Sequence, residues 1–152
     1  MWQHLKNKIV SILEANTLIG AVFNYENAEF GQDPVVTVTA SSNESDYRTT
    51  SENRRIYAFL VQVWVERTSP RDDKEAEEVL TDVVDQVLID FDRYFDLPAS
   101  APGGTLTLPT GMTFVRLEAT PSVWFYAKRP KDYRVAEINI KCHIDADVFS
   151  IS

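Results

Sequence analysis

The feature that most constrains this 152-residue chain is the stretch at residues 53–67, NRRIYAFLVQVWVER, which contains no glycine and no proline. Past Arg55 nearly every position is apolar, aromatic or β-branched, and this composition is typical of a β-strand. Alternation along a strand places its odd and even positions on opposite faces. One face would carry Tyr57, Phe59, Val61, Val63 and Val65, and the other Ile56, Ala58, Leu60 and Trp64 beside the polar Gln62. The stretch therefore predicts a central strand whose second apolar face needs another layer or a partner subunit.

The residues before this strand predict a helix and two shorter strands. Apolar side chains recur at helical spacing over residues 2–15, which predicts an amphipathic helix. Strands are expected at roughly 20–26 and 34–40. Residues 41–53 are rich in serine, asparagine and threonine, and we expect a long loop or an extended hairpin arm there.

A second helix follows the central strand. Ser69 is a suitable N-cap and Pro70 suits the first helical position, so we expect a helix over about 70–95 that ends before Pro98. Its apolar positions recur at spacings of three and four. The carboxylates expected on its outer face are Glu75, Glu78, Asp82, Asp85 and Asp92.

The last third of the chain predicts an irregular connection and two strands. Residues 96–111 are rich in proline and glycine, and we expect an extended loop. A strand over 112–127, broken near Pro121, and a strand over 131–144 complete the order α-β-β-β-α-β-β. Because helices and strands do not alternate strictly, the sequence predicts an α+β fold with a mostly antiparallel or mixed sheet packed by two helices. We expect residues 1–152 to form a single compact domain.

Charge and cysteine content limit the possible functions. The net charge of −8 makes the chain a poor candidate for gripping nucleic acid, because the long-range field repels phosphates. Cys142 is the only cysteine, which excludes an intrachain disulfide, and its place on the apolar face of the last strand predicts a buried thiol. No apolar run approaches the roughly 20 residues that span a bilayer, and we expect no membrane association.

The sequence offers no convincing catalytic or metal constellation. The two histidines, His4 and His143, fall on polar faces, and we expect both to be solvated. There is no GxSxG motif, and the glycines at 103–104 do not form a phosphate-binding loop. The acidic pairs of the second helix lack histidine or carbonyl partners. We therefore expect no enzyme activity, no catalytic residue, no cofactor and no bound metal.

Basic residues cluster at two places. Arg54 and Arg55 stand at the start of the long strand, and Lys128, Arg129, Lys131 and Arg134 surround the turn between the last two strands. They are either solvated strand-end charges that protect sheet edges or arginines that pair with the acidic helix of a neighbouring copy. The sequence leaves both interpretations open.

Residues 47–97 resemble the tail terminator proteins of long-tailed, siphovirus-like phages and of related prophage tails. The resemblance rests on TT..ENRR.YAF at the start of the long strand, VER at its end, and the acidic helix pattern EA..VL..VVD.VL..FD. The first helix followed by VFNYE and the later RVAEINIKC strand agree with it, so it spans nearly the whole chain.

This resemblance implies a non-enzymatic subunit of a ring, typically a hexamer, that caps the head-proximal end of the tail tube. Such a ring ends tube polymerisation and provides the surface for head joining. The implied partners are other copies of the chain, the tail tube protein and a head-completion or connector protein. Genomic DNA would pass through the lumen without sequence-specific binding. The implied location is the head–tail junction of a virion assembled in the host cytoplasm.

We expect contacts with neighbours to come from residues 41–53, from residues 96–111 and from a set of charged and aromatic side chains. That set is Asp46, Tyr47, Arg48, Arg54, Arg55, Trp64, Lys128, Arg129 and Arg134.

Three other functions stay open at this point. The chain could be another head–tail connector or neck-completion protein of similar fold. It could be a metal-dependent hydrolase or nuclease that uses Asp82, Asp85 and His143. It could also be a monomeric ligand-binding module with an apolar pocket under Trp64, Trp124, Phe125 and Tyr126.

Overall fold

The computed structural model describes residues 1–24, 34–47, 51–67, 73–98, 100–128 and 131–149. These residues form α1 (Trp2–Glu14), β1 (Ala21–Phe23), β2 (Val35–Tyr47), β3 (Glu52–Glu66), α2 (Asp73–Arg93), β4 (Met112–Lys128) and β5 (Asp132–Asp147). The strands form one sheet in the order β1-β2-β3-β5-β4, in which only the β1–β2 pair is parallel. The predicted α+β class, with a mixed sheet and two helices, is confirmed.

β3 is the central strand, as its composition predicts. It pairs along its length with β5 and over nearly all of it with β2, and one of its faces is buried under both helices. α1 lies over β1 and β2, whereas α2 lies over β3, β4 and β5. The indole of Trp2 contacts the rings of Tyr57 and Phe59 edge-on, at centroid distances of 4.9 and 5.1 Å. Burial of such side chains contributes about 1.5–3 kcal/mol each and fixes the helices on this face.

β2 is longer than its sequence predicts. Instead of ending near residue 40 it passes a bulge between Ala40 and Ser42 and continues, paired with β3, to Tyr47. The serines and asparagine of this segment favour loops locally, but ladder hydrogen bonds to a long partner strand outweigh that preference. Residues 41–47 are therefore a sheet extension. β1 is shorter than expected, and residues 25 and 26 lie outside the described residues.

α2 begins at Asp73 and ends at Arg93. Ser69 and Pro70, the predicted start signals, lie outside the described residues. The backbone N–H of Leu97 donates to the carbonyl of Tyr94 at 2.9 Å, and Leu97 has a positive φ of 46°, so the chain leaves the helix axis just before Pro98. The five carboxylates predicted for its outer face are all exposed.

The connection after α2 has no helix or strand among its described residues and packs on α1. Lys8 is only 4% exposed, and its ammonium donates to the carbonyl oxygens of Ala101, at 3.4 Å, and of Gly104. Gly103 has a positive φ of 91°, and a Cβ there would lie 2.8 Å from Ser11 Oγ. Glycine is therefore required at position 103 by both its backbone conformation and its contact with α1.

β4 is continuous, whereas a break was predicted near Pro121. The strand runs from Met112 to Lys128 and accommodates the proline with a register shift between Pro121 and Trp124. β4 is an outer strand of the sheet and the proline stands next to a bulge, the two positions at which strands accommodate proline.

Candidate interaction surfaces

The sheet face turned away from the helices is a candidate interaction surface, and we call it the open face. Both described helices pack on the opposite face, so no helical layer among the described residues covers it. Register places polar residues on either side of the apolar positions of β3. The rows across the open face are Thr39–Leu60–Asn139–Thr120, Ser42–Ala58–Lys141–Glu118 and Glu44–Ile56–His143–Arg116.

The second face of β3 carries the predicted apolar residues, and the register places polar residues of β2 and β5 beside them over most of the strand. In these three rows only β3 is apolar, and Ala58 is buried while Ile56 and Leu60 are half-buried. Over these rows the open face is therefore a polar and charged surface with one sheltered apolar line. It is compatible with water before any partner arrives.

Trp64 belongs to a second, smaller core at one end of the open face. It is 3% exposed and clusters with Val35, Tyr133 and Val135, its ring 5.8 Å from that of Tyr133. The row Ala21–Val35–Trp64–Val135–Phe125 crosses all five strands at this point. Trp64, a predicted interface residue, is thus already covered within one copy of the chain.

Arg54, another predicted interface residue, forms an ion pair that links β3 to β5. Its side chain is 11% exposed, and its guanidinium contacts Asp145 of β5 through Nε and through Nη2, the latter at 3.1 Å from Oδ2. Bidentate pairs of this kind fix geometry as well as charge. Arg55 is half-buried between Ser45 and Ile144.

The open face also buries His143, which the sequence predicted to be solvated. This histidine is 7% exposed because it lies between Ile56 of β3 and Arg116 of β4. Its Nε2 is 3.3 Å from Glu118 Oε2, an ion-pair distance without the alignment of a hydrogen bond. The Nε–H of Arg116 donates to the other oxygen of Glu118 at 2.7 Å. This bond, helped by His143, holds the pKa of Glu118 below its ordinary value.

The end of the sheet at the β4–β5 turn carries a surface that we call the basic–aromatic patch, made of Arg67, Tyr126, Lys128, Lys131 and Arg134. The guanidinium carbons of Arg67 and Arg134 each lie 4.5 Å from the ring centroid of Tyr126, which is 61% exposed. Arg134 Nε donates to Glu77 of α2 at 2.8 Å. The predicted pairing of an arginine with the acidic helix therefore occurs, for Arg134, within one chain.

The remaining predicted interface positions are only partly described. Asp46 and Tyr47 pair through their backbones with Arg54 and Asn53 at the far end of β2, and their side chains are not described. Arg48 and Arg129 lie outside the described residues. Lys128 is exposed, with its Nζ 4.0 Å from Asp132 Oδ1.

The three residues of the hydrolase hypothesis do not come together in the structure. Asp82 and Asp85 are exposed on the outer side of α2, and His143 lies on the other side of the sheet, so these three residues do not meet. Among the described residues no group of three or more histidine, cysteine, aspartate or glutamate side chains could hold a metal ion. Cys142 is fully buried, as predicted, and burial raises the pKa of its thiol to about 12.

The four aromatics of the ligand-pocket hypothesis do not line one pocket. Trp64 and Phe125 belong to the small core on the open face, whereas Trp124 packs against the core under the helices. A cleft of about 260 Å³ does lie between α1 and the loop that follows α2, but its lining is His4, Asn7, Lys8, Ser11 and residues 103 and 105–107.

No protein-family model matches this chain, and no curated protein matches it. Among solved structures, a chain of a particle described as "Virion of native gene transfer agent (GTA) particle" is similar, with a TM-score of 0.45 and 13% identity over 93% of this chain and 95% of that one. Similarity at this level leaves the family and function to be argued from the residues of this chain. No described helix is long and apolar enough to cross a membrane.

Proposed function

We propose that this protein is a non-enzymatic structural component of a phage-like virion, a tail terminator that forms a ring, typically of six copies, on the head-proximal end of the tail tube. The sequence resemblance supports this proposal over nearly the whole chain. The segments that carry it become β3, α2 and β5, the elements that form the centre of the fold.

The observation that carries the proposal most is the character of the open face. It is broad, polar and charged, and no helical layer of the described chain lies over it. A tail terminator must remain soluble until tube growth ends and must then bind other proteins over a large area. A polar face keeps the free subunit soluble, because it exposes no large apolar patch. The apolar side chains of β3 can still be buried when a partner binds.

Charge supports the same function. A ring multiplies the charge of −8 per chain by its copy number, so its lumen would repel DNA phosphates and let the genome slide through. On this proposal the partners are the tail tube protein and a head-completion protein, and no cofactor takes part.

Deletion of the gene from the virus that encodes this protein tests the proposal. We expect tails of abnormal length that do not join heads, measured by electron microscopy, and restoration of normal virions by the protein supplied in trans. Tails of normal length that fail to join heads would instead indicate a neck-completion protein. Normal virions from the deletion strain would contradict both.

A further inference from the structure

The basic–aromatic patch has the composition of an interface centre, and its two lysines form only long ion pairs within one chain. Tyrosine and arginine are the residues most enriched at binding hot spots. Contact between Tyr126 and both guanidiniums holds the ring in place before binding, which lowers the entropy lost on association. Lys128 and Lys131 are exposed. Lys128 Nζ lies 4.0 Å from Asp132 Oδ1, and Lys131 Nζ lies 3.6 Å from Glu66 Oε2. Surface ion pairs at such distances contribute little to stability.

The complementary surface lies on the second half of α2. Ile89 is 51% exposed, and Asp82, Asp85 and Asp92 precede and follow it at spacings of seven, four and three residues, which places all four side chains on one stripe. Asp85 and Asp92 make no ion pair with any described residue. An exposed apolar side chain within an acidic rim is complementary in charge to an exposed tyrosine within a basic rim.

The two surfaces cannot meet within one chain. Arg134 is tied to Glu77 in the first half of α2, and Ile89 lies twelve residues further on, about 18 Å along the helix axis. Their match therefore concerns two copies. Contact between two different surfaces of identical subunits is head-to-tail, and such contacts form a ring when the rotation between subunits closes and a helical filament when it does not.

We propose that the basic–aromatic patch of one copy docks on the Ile89 stripe of α2 in the next copy, with Tyr126 packed on Ile89 and Lys128 and Lys131 paired with Asp85 and Asp92. This inference rests on the proposed ring and names the contact that closes it.

Opposite charge reversals test the contact. One variant of the full chain carries Lys128→Glu and Lys131→Glu, and the other carries Asp85→Lys and Asp92→Lys. Assembly is measured by sedimentation and native mass spectrometry, with and without tail tubes purified from the deletion virus. Each variant alone places like charges together and should weaken self-association by roughly tenfold or more. An equimolar mixture should assemble as the wild type does, because each patch then meets a stripe of opposite charge.

A matched control carries Gln3→Glu, His4→Glu and Lys6→Glu on α1, which together change the net charge by the same amount as the lysine reversal. These positions lie outside the patch, the Ile89 stripe and the open face, so the control should assemble normally. Circular dichroism confirms that each variant is folded. If both reversed variants assemble like the wild type, or if their mixture fails to assemble when each is folded, the proposed contact is wrong. Reversed variants that form rings but no longer bind tubes would show that the patch contacts the tube protein, and this result would also overturn the proposed contact between copies. Failure of the wild type to assemble on tubes would instead refute the ring itself.

Discussion

Alanine at Gly103 should destabilise the protein far more than alanine at Gly104, although the two glycines are adjacent and both have positive φ, 91° and 75°. At Gly104 a Cβ meets nothing within 4 Å. Alanine there therefore introduces backbone strain of about 1–2 kcal/mol. Alanine also lowers the entropy of the unfolded chain, so the net loss of unfolding free energy is roughly 0.5–1 kcal/mol. At Gly103 the Cβ would lie 2.8 Å from Ser11 Oγ and 2.9 Å from Ser11 Cβ.

The contact with Ser11 adds an overpacking penalty of about 1–3 kcal/mol to the strain at Gly103. Urea unfolding of Gly103→Ala and Gly104→Ala, followed by circular dichroism, measures the difference. The Gly103→Ala midpoint should fall below that of Gly104→Ala by roughly 0.5–1.5 M, with an unchanged slope. Equal midpoints would refute the close packing of this loop on α1 and with it the fixed position of the segment that Lys8 holds.

Three further predictions follow from single contacts. Arg54→Ala and Asp145→Ala should each destabilise the protein by about 1–3 kcal/mol and couple in a double-mutant cycle, because the pair is bidentate and Arg54 is mostly buried; additive effects would contradict the pairing. Cys142 should resist an aromatic disulfide reagent in the folded protein at pH 8 and react only after unfolding, since burial raises its pKa to about 12; rapid labelling of folded protein would contradict its place in the core. The pKa of Glu118 is lower in the folded state than in the unfolded state. Glu118 therefore stabilises the fold fully at pH values above its unfolded-state pKa, and this stabilisation is lost as pH falls through its folded-state pKa. Glu118→Gln should therefore flatten the acid side of a stability–pH profile, and an unchanged profile would argue against the contact with Arg116.

Local patterns predicted the elements of the fold well because each pattern is repeated many times along one segment. The spacing of apolar residues in α2 and the uninterrupted composition of β3 identified both elements and their buried faces. The extension of β2 to Tyr47 escaped prediction, since its residues favour loops and only a partner strand makes them a strand. The same holds for the open face, where the neighbours of Ile56 and Ala58 come from strands whose register the sequence does not specify.

Candidate site residues were harder to predict because their contacts join distant parts of the chain. Arg134 pairs with Glu77, which is 57 residues away in the sequence, and Arg54 pairs with Asp145, which is 91 residues away. His143 reads as a polar-face residue from alternation alone, yet long side chains on the adjacent strands bury it. The register shift after Pro121 decides which face of the sheet Tyr126 occupies, and the sequence indicated this shift only as a break.

The mass of the assembled protein tests the central claim most directly. Native mass spectrometry or light scattering of the full-length protein, across concentrations and with tail tubes present, should show a closed ring, typically six copies of the 17.3 kDa chain, bound at one end of the tube. Monomer at every concentration, with no binding to tube ends, would contradict the proposed function.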